Sequence, residues 1–80
     1  MTYQILRLPA VKERTGLSRS TVYLRIAQGL LTHPVSLGGR AVGWPTNEVA
    51  SLVAARIAGK PDAEIRALVA QMEAARKTLA

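Results

Sequence analysis

Ser18, Arg19, Ser20, Thr21, Tyr23 and Arg25 share one eight-residue stretch, and Arg40 follows a Gly38-Gly39 pair further along. These side chains offer guanidinium groups, short hydroxyls and a phenol. Guanidinium forks match phosphate oxygens and the O6/N7 edge of guanine. Serine and threonine are short enough for close approach, and a tyrosine hydroxyl donates well to phosphate. The chemistry on offer is therefore recognition of a nucleic acid. Turnover would need other parts: the chain shows no Ser-His-Asp set at supporting spacing, no carboxylate pair in a cleft-like context and no phosphate-binding P-loop sequence. The expectation is that the protein is not an enzyme and has no catalytic residues.

The charge agrees. Eleven Lys and Arg face five Asp and Glu, a formal charge of +6. Up to Trp44 the basic residues are Arg7, Lys12, Arg14, Arg19, Arg25 and Arg40, against Glu13 alone. The remainder is nearly balanced, so the charge meant for a partner sits in the first half. Double-stranded DNA is the expected partner, because neutralised phosphates release condensed counterions. Readers of single-stranded RNA display stacking aromatics, and this chain has only Tyr3, Tyr23 and Trp44. There is no cysteine, and His33 is the one histidine, so neither a disulfide nor a metal site is expected. No cofactor and no small-molecule ligand are implied. No apolar run approaches the ~20 residues of a membrane span, and the start of the chain lacks a signal-peptide layout. The expected location is cytoplasmic, associated with the nucleoid.

The elements that would hold these side chains can be read from caps and periods. A first helix over Pro9 to Thr15 turns Leu8, Val11 and Leu17 inward and stops at Gly16. Ser18 caps a second helix that ends at Gly29, with Val22 and Ile26 on its buried face. Ser20, Thr21, Leu24 and Ala27 then point outward, with Arg19 and Tyr23 on the flanks. Arg7, Lys12 and Arg14 read as ordinary surface. Next, the period becomes two: Val35 and Leu37, then Val42 and Trp44, suggest a hairpin turning at Gly38-Gly39. Arg40 falls at its tip, and Trp44 is a core anchor. His33 reads as a loop residue. A third helix starts near Thr46 as cap, with Glu48 in its first turn and Val49, Leu52, Val53 and Ile57 inward. A fourth runs from Asp62 to Thr78 along a stripe of Ile65, Leu68, Val69, Met72 and Leu79, with Arg76 and Lys77 complementing its dipole.

Two short helices joined at a glycine, the second opening on Ser-Arg-Ser-Thr, form a helix-turn-helix layout. Ile5-Leu6-Arg7-Leu8, Thr15-Gly16-Leu17-Ser18-Arg19-Ser20-Thr21-Val22-Tyr23, Gly29 and Leu37-Gly38-Gly39-Arg40-Ala41-Val42-Gly43-Trp44 together resemble the AlpA family. The resemblance covers roughly residues 5–55 and departs from the family pattern at Leu24-Arg25 and at Leu30 to Pro34. It implies a phage-type regulator with a winged helix-turn-helix of MerR and excisionase kind, acting on prophage or mobile-element genes.

The expected fold is mainly α with a small β-hairpin wing, a winged helix-turn-helix followed by two further helices. Residues 1–58 would be the DNA-binding domain and residues 59–80 an amphipathic helix for packing or dimerisation. The expected function is sequence-specific transcription regulation through Ser18, Arg19, Ser20, Thr21, Tyr23, Arg25 and Arg40. An excisionase-like architectural factor and a protein-interaction module working through the last helix are the alternatives. Homodimerisation through that helix, and contact with a recombinase or polymerase, are the further partners considered.

Overall fold

The structure is a computed structural model that describes residues 4–78. Its elements are β1 (Ile5–Leu6), α1 (Leu8–Thr15), α2 (Arg19–Ala27), β2 (Val35–Gly38), β3 (Ala41–Pro45), α3 (Thr46–Ile57) and α4 (Asp62–Ala75), closed by a 3-10 turn over Arg76–Thr78. The fold is mainly α with a β wing, as the sequence suggests. Leu79, placed at the end of the α4 stripe, and Tyr3 lie outside the described residues.

Local chemistry sets most of these boundaries. Pro9 sits in the first turn of α1, where a missing N–H is harmless. Gly16 ends that helix at φ 72°, its N–H bonding Lys12 O. The hairpin turns one residue later than Gly38-Gly39 suggests. Gly38 pairs with Ala41 after an irregularity between Ser36 and Gly38, so the loop is Gly39-Arg40 and the arginine is part of the turn itself.

β1 was not legible as a strand, because two residues are too few to show an alternating pattern. It pairs antiparallel with β3, Ile5 opposite Pro45 and Leu6 opposite Trp44, giving a three-stranded sheet in the order β1-β3-β2. Gly43 makes this approach feasible. A Cβ there would collide with Ile5 Cγ2 and come within 3.0 Å of the Leu6 carbonyl oxygen. Gly43→Ala should therefore lower stability by about 1–3 kcal/mol through overpacking, read as a shifted urea midpoint. An unchanged midpoint would mean that β1 yields without cost.

Trp44 is the core anchor, fully buried among Val11, Val22, Val49 and Ile65. Its indole N–H donates to Thr32 O at 3.0 Å, so the one polar atom of the ring is satisfied. Ile65 and Val69 of α4 are buried in the same core, with Leu68 and Met72 half-buried against it. The α4 stripe packs on its own chain.

Two expectations about α3 are corrected. Thr46 does not cap α3: its hydroxyl donates to Gln4 O at 2.9 Å and its N–H to the same oxygen at 2.8 Å, tying α3 to the strand edge. Ile57 is 82% exposed, not inward. Four apolar positions on α3 span more of the helix than one contact can cover, and the core takes Val49 and Leu52.

Arg76 stands at the C-terminal end of α4, as expected, and from there reaches back to Glu48 of α3, donating to its two carboxylate oxygens at 2.6 and 2.8 Å. It also donates to His33 O at 2.7 Å. The hydrogen bond to Glu48 pushes the guanidinium pKa above its usual value, against the effect of burial. His33 gains a partner as well, donating its backbone N–H to Glu73 Oε2 at 2.7 Å with the ring Nδ1 2.9 Å from the same oxygen. Burial would raise the Glu73 pKa, but the two His33 hydrogen bonds and the nearby positive charge hold it below the ordinary carboxylate value. The end of the chain thus straps the loop between α2 and β2.

Candidate nucleic-acid interface

α1 and α2 are joined by the turn Gly16-Leu17-Ser18, and Val11 of one and Val22 of the other are fully buried in the same core cluster. Ser18 caps α2 as its sequence position suggests, its Oγ accepting the Thr21 N–H at 3.3 Å. The same oxygen lies 2.9 Å from Thr21 Oγ1 and 3.3 Å from Ser20 Oγ. Three hydroxyls are therefore gathered at the start of the helix. The amides of Arg19 and Ser20 have no carbonyl one turn back to bond, so the site combines unspent donors with the positive end of the helix dipole.

Burying Val22 and Ile26 turns the opposite surface of α2 outward. Arg19, Ser20, Tyr23, Leu24 and Ala27 are all exposed. Leu24, among them, is 54% exposed, so this face of the helix carries an aliphatic side chain between its polar ones. The Arg19 guanidinium carbon lies 6.0 Å from the centroid of the Tyr23 ring, at the edge of cation–π range. The ring and the arginine head thus occupy one flank of the helix together.

The far end of α2 is fixed by a residue the sequence did not single out. Arg66 of α4 donates from Nε to Gln28 O at 2.9 Å, satisfying a carbonyl at the C-terminus and placing a cation at the negative end of the dipole. Gly29 there has φ 76°, and a Cβ on it would stand 3.6 Å from Arg66 Cγ. Arg66 is separated from Gln28 by 38 positions, and no local signal announces such a contact. Core packing at Val22 and Ile26, the Ser18 cap and the Arg66 clamp together define where α2 points.

Of the seven residues singled out from the sequence, Ser18, Arg19, Ser20, Thr21 and Tyr23 lie together on the first turns of α2. Arg25 does not join them. At about 100° per residue it falls on the flank opposite Tyr23, where it is half-buried and lines a hollow shared with Arg56 of α3. Arg40 stands on a separate element, exposed in the hairpin turn near Leu37, which is itself 44% exposed. Among the described residues there is no group of three or more His, Cys, Asp or Glu able to hold a metal ion. Among them, too, no helix is long and apolar enough to cross a membrane.

The family model for the prophage CP4-57 regulatory protein (AlpA) matches residues 4–57, which run from β1 through α3. An uncharacterized protein, ORF88, of Enterobacteria phage P4 is 47% identical over 57 residues, covering 71% of this chain. The match spans 65% of that relative's own length. No solved structure matches the chain.

Proposed function

The chain belongs to the AlpA family of prophage regulatory proteins, and on that premise we propose that it binds double-stranded DNA as a sequence-specific transcriptional regulator of a prophage or mobile element. α2 is the reading helix. A helix with its side chains is about 10–12 Å across, which fits a major groove about 12 Å wide. Arg19, Ser20 and Tyr23 supply contacts to base edges and phosphates, with Ser18 and Thr21 holding the first turn in shape. Leu24 is placed to meet a thymine methyl group. Arg40, at the tip of the wing, reaches the neighbouring backbone or minor groove. The activity is binding without a catalytic step.

The observation that carries this reading is the exposed first half of α2, where an arginine paired with a tyrosine adjoins a hydroxyl cluster at a positive helix end. The test is fluorescence anisotropy on a duplex from upstream of the protein's own gene, beside a scrambled duplex, at several salt concentrations. Tighter binding to the native duplex, weakening linearly in log salt, supports the reading. No binding, or equal binding to both duplexes, overturns it. In the same assay Arg19→Ala should weaken specific binding by about 1–3 kcal/mol if the guanidinium reads a base. Equal losses on both duplexes would assign Arg19 to phosphate.

A further inference from the structure

We infer that the outer edge of α3 is a docking groove for an acidic, amphipathic helix of another protein. Ala50, Val53, Ala54 and Ile57 follow one another at i, i+3, i+4 and i+7, the spacing of a single helical stripe. The core uses a different face of α3, that of Val49 and Leu52. Val53, half-buried, sits at the inner edge of the stripe and packs against the core, while both alanines are exposed and Ile57 is 82% exposed.

Hollows flank this stripe on both sides and share Val53 and Ile57. One, of about 340 Å³, opens between α3 and a wall made by Thr15, Leu17, Arg25 of α2 and the Leu30-Leu31 segment after it. The other, of about 390 Å³, opens between α3 and α1. Ala50 and Ala54 in the second hollow let a second backbone approach closely, and the branched Ile57 between the hollows offers it an anchor. This is the geometry by which helices bind in grooves.

Charge selects the occupant. Arg25 and Arg56 border the first hollow and Arg14 the second. Arg56 is shared with Asp62 at 3.2 Å. Among the described residues no carboxylate pairs with Arg14 or Arg25. An apolar floor between unneutralised guanidinium groups fits a helix whose apolar stripe is edged by Asp or Glu. A second copy of this chain, at +6, brings the wrong charge, and a phosphate backbone has nothing to place on the apolar stripe. Arg25 lies on the flank of α2 opposite Tyr23, so the groove is separate from the face proposed to read DNA.

The probe is a synthetic helical peptide with leucines at i, i+3, i+4 and i+7 and glutamates beside them, with a control carrying lysine for glutamate. Each is titrated into the isotope-labelled full chain and followed by amide resonances. The glutamate peptide should move resonances of Ala50 to Ile57 and of Arg25, and leave those of Arg19 to Tyr23 in place. Ile57→Glu, a change at an exposed position, should weaken peptide binding about tenfold or more while leaving duplex affinity unchanged. Arg25→Glu should weaken peptide binding as well. Absence of shifts at millimolar peptide, equal binding of the lysine peptide, or movement of the same resonances by duplex DNA would each overturn the proposal. So would sedimentation showing a dimer of the free chain that Ile57→Glu dissolves. Because DNA affinity is read separately, failure here leaves the regulatory reading standing, and failure there leaves this one standing.

Discussion

Arg76→Met should cost about 3–5 kcal/mol of stability, the loss seen when one partner of a buried ion pair is removed. Glu48 is 2% exposed. Its place in the first turn of α3 gives it some support from the helix dipole, but that is worth only about 0.3–1 kcal/mol in ordinary settings. The bidentate contact with Arg76, at 2.6 and 2.8 Å, gives the buried carboxylate its counter-charge and hydrogen-bond donors. Without it a buried carboxyl group loses its partner, which disfavours the fold. A domain of this size has a total stability of roughly 4–12 kcal/mol, so the variant should be barely folded, with a large fall in the urea midpoint. Glu48→Leu in the same background should recover much of the loss, because an apolar pair in place of an ionic one is often neutral or better. A loss below about 1 kcal/mol in the single variant would show that the pair behaves as an exposed one. Arg76 lies outside the stretch matched by the family model, residues 4–57, although its partner Glu48 lies inside it. Truncation after α3 would therefore remove the counter-charge to a residue that the matched segment buries.

Val22→Asp should abolish the fold of the helix pair outright. Val22 of α2 is fully buried in the core cluster that also holds Val11 of α1. Val22 belongs to an apolar core cluster, so a carboxylate there would be taken out of water, at a cost of several kcal/mol. The expected result is loss of the helical circular-dichroism signal and of any duplex binding at once. A variant that keeps a native spectrum and a cooperative thermal transition would remove Val22 from the helix contact, and with it the orientation assigned to α2.

The parts of this protein that were legible in the sequence are those fixed by neighbours along the chain. Glycines at positive φ end α1 and α2, because Gly16 at 72° and Gly29 at 76° adopt a conformation that a Cβ resists. Ser18 caps α2 through an amide three residues on. The switch from a period near 3.6 to a period of two marks the hairpin. The gathering of Arg19, Ser20, Thr21 and Tyr23 on one part of α2 follows from helix geometry once Val22 and Ile26 face inward. The resemblance to the AlpA family rests on these same local segments, and the family match bears it out.

Tertiary structure decided what depends on residues far apart in the chain. Arg76 meets Glu48 across 28 positions and Arg66 meets Gln28 across 38. A long, flexible cation carries no mark of its eventual partner, so both read as solvated surface or helix-end charge. β1 exists only because β3 offers it a ladder, and Gly43 leaves room for the approach. α3 has apolar residues on two faces, and its own periodicity cannot say which one is buried. The docking of α4, through Ile65 and Val69, joins the Val49 and Leu52 face in the core and leaves Ile57 outside. Caps, turns and periods are set by short-range sterics and hydrogen bonding, and so can be read from sequence. Burial and ion pairing depend on which surfaces meet, and that choice belongs to the folded chain as a whole.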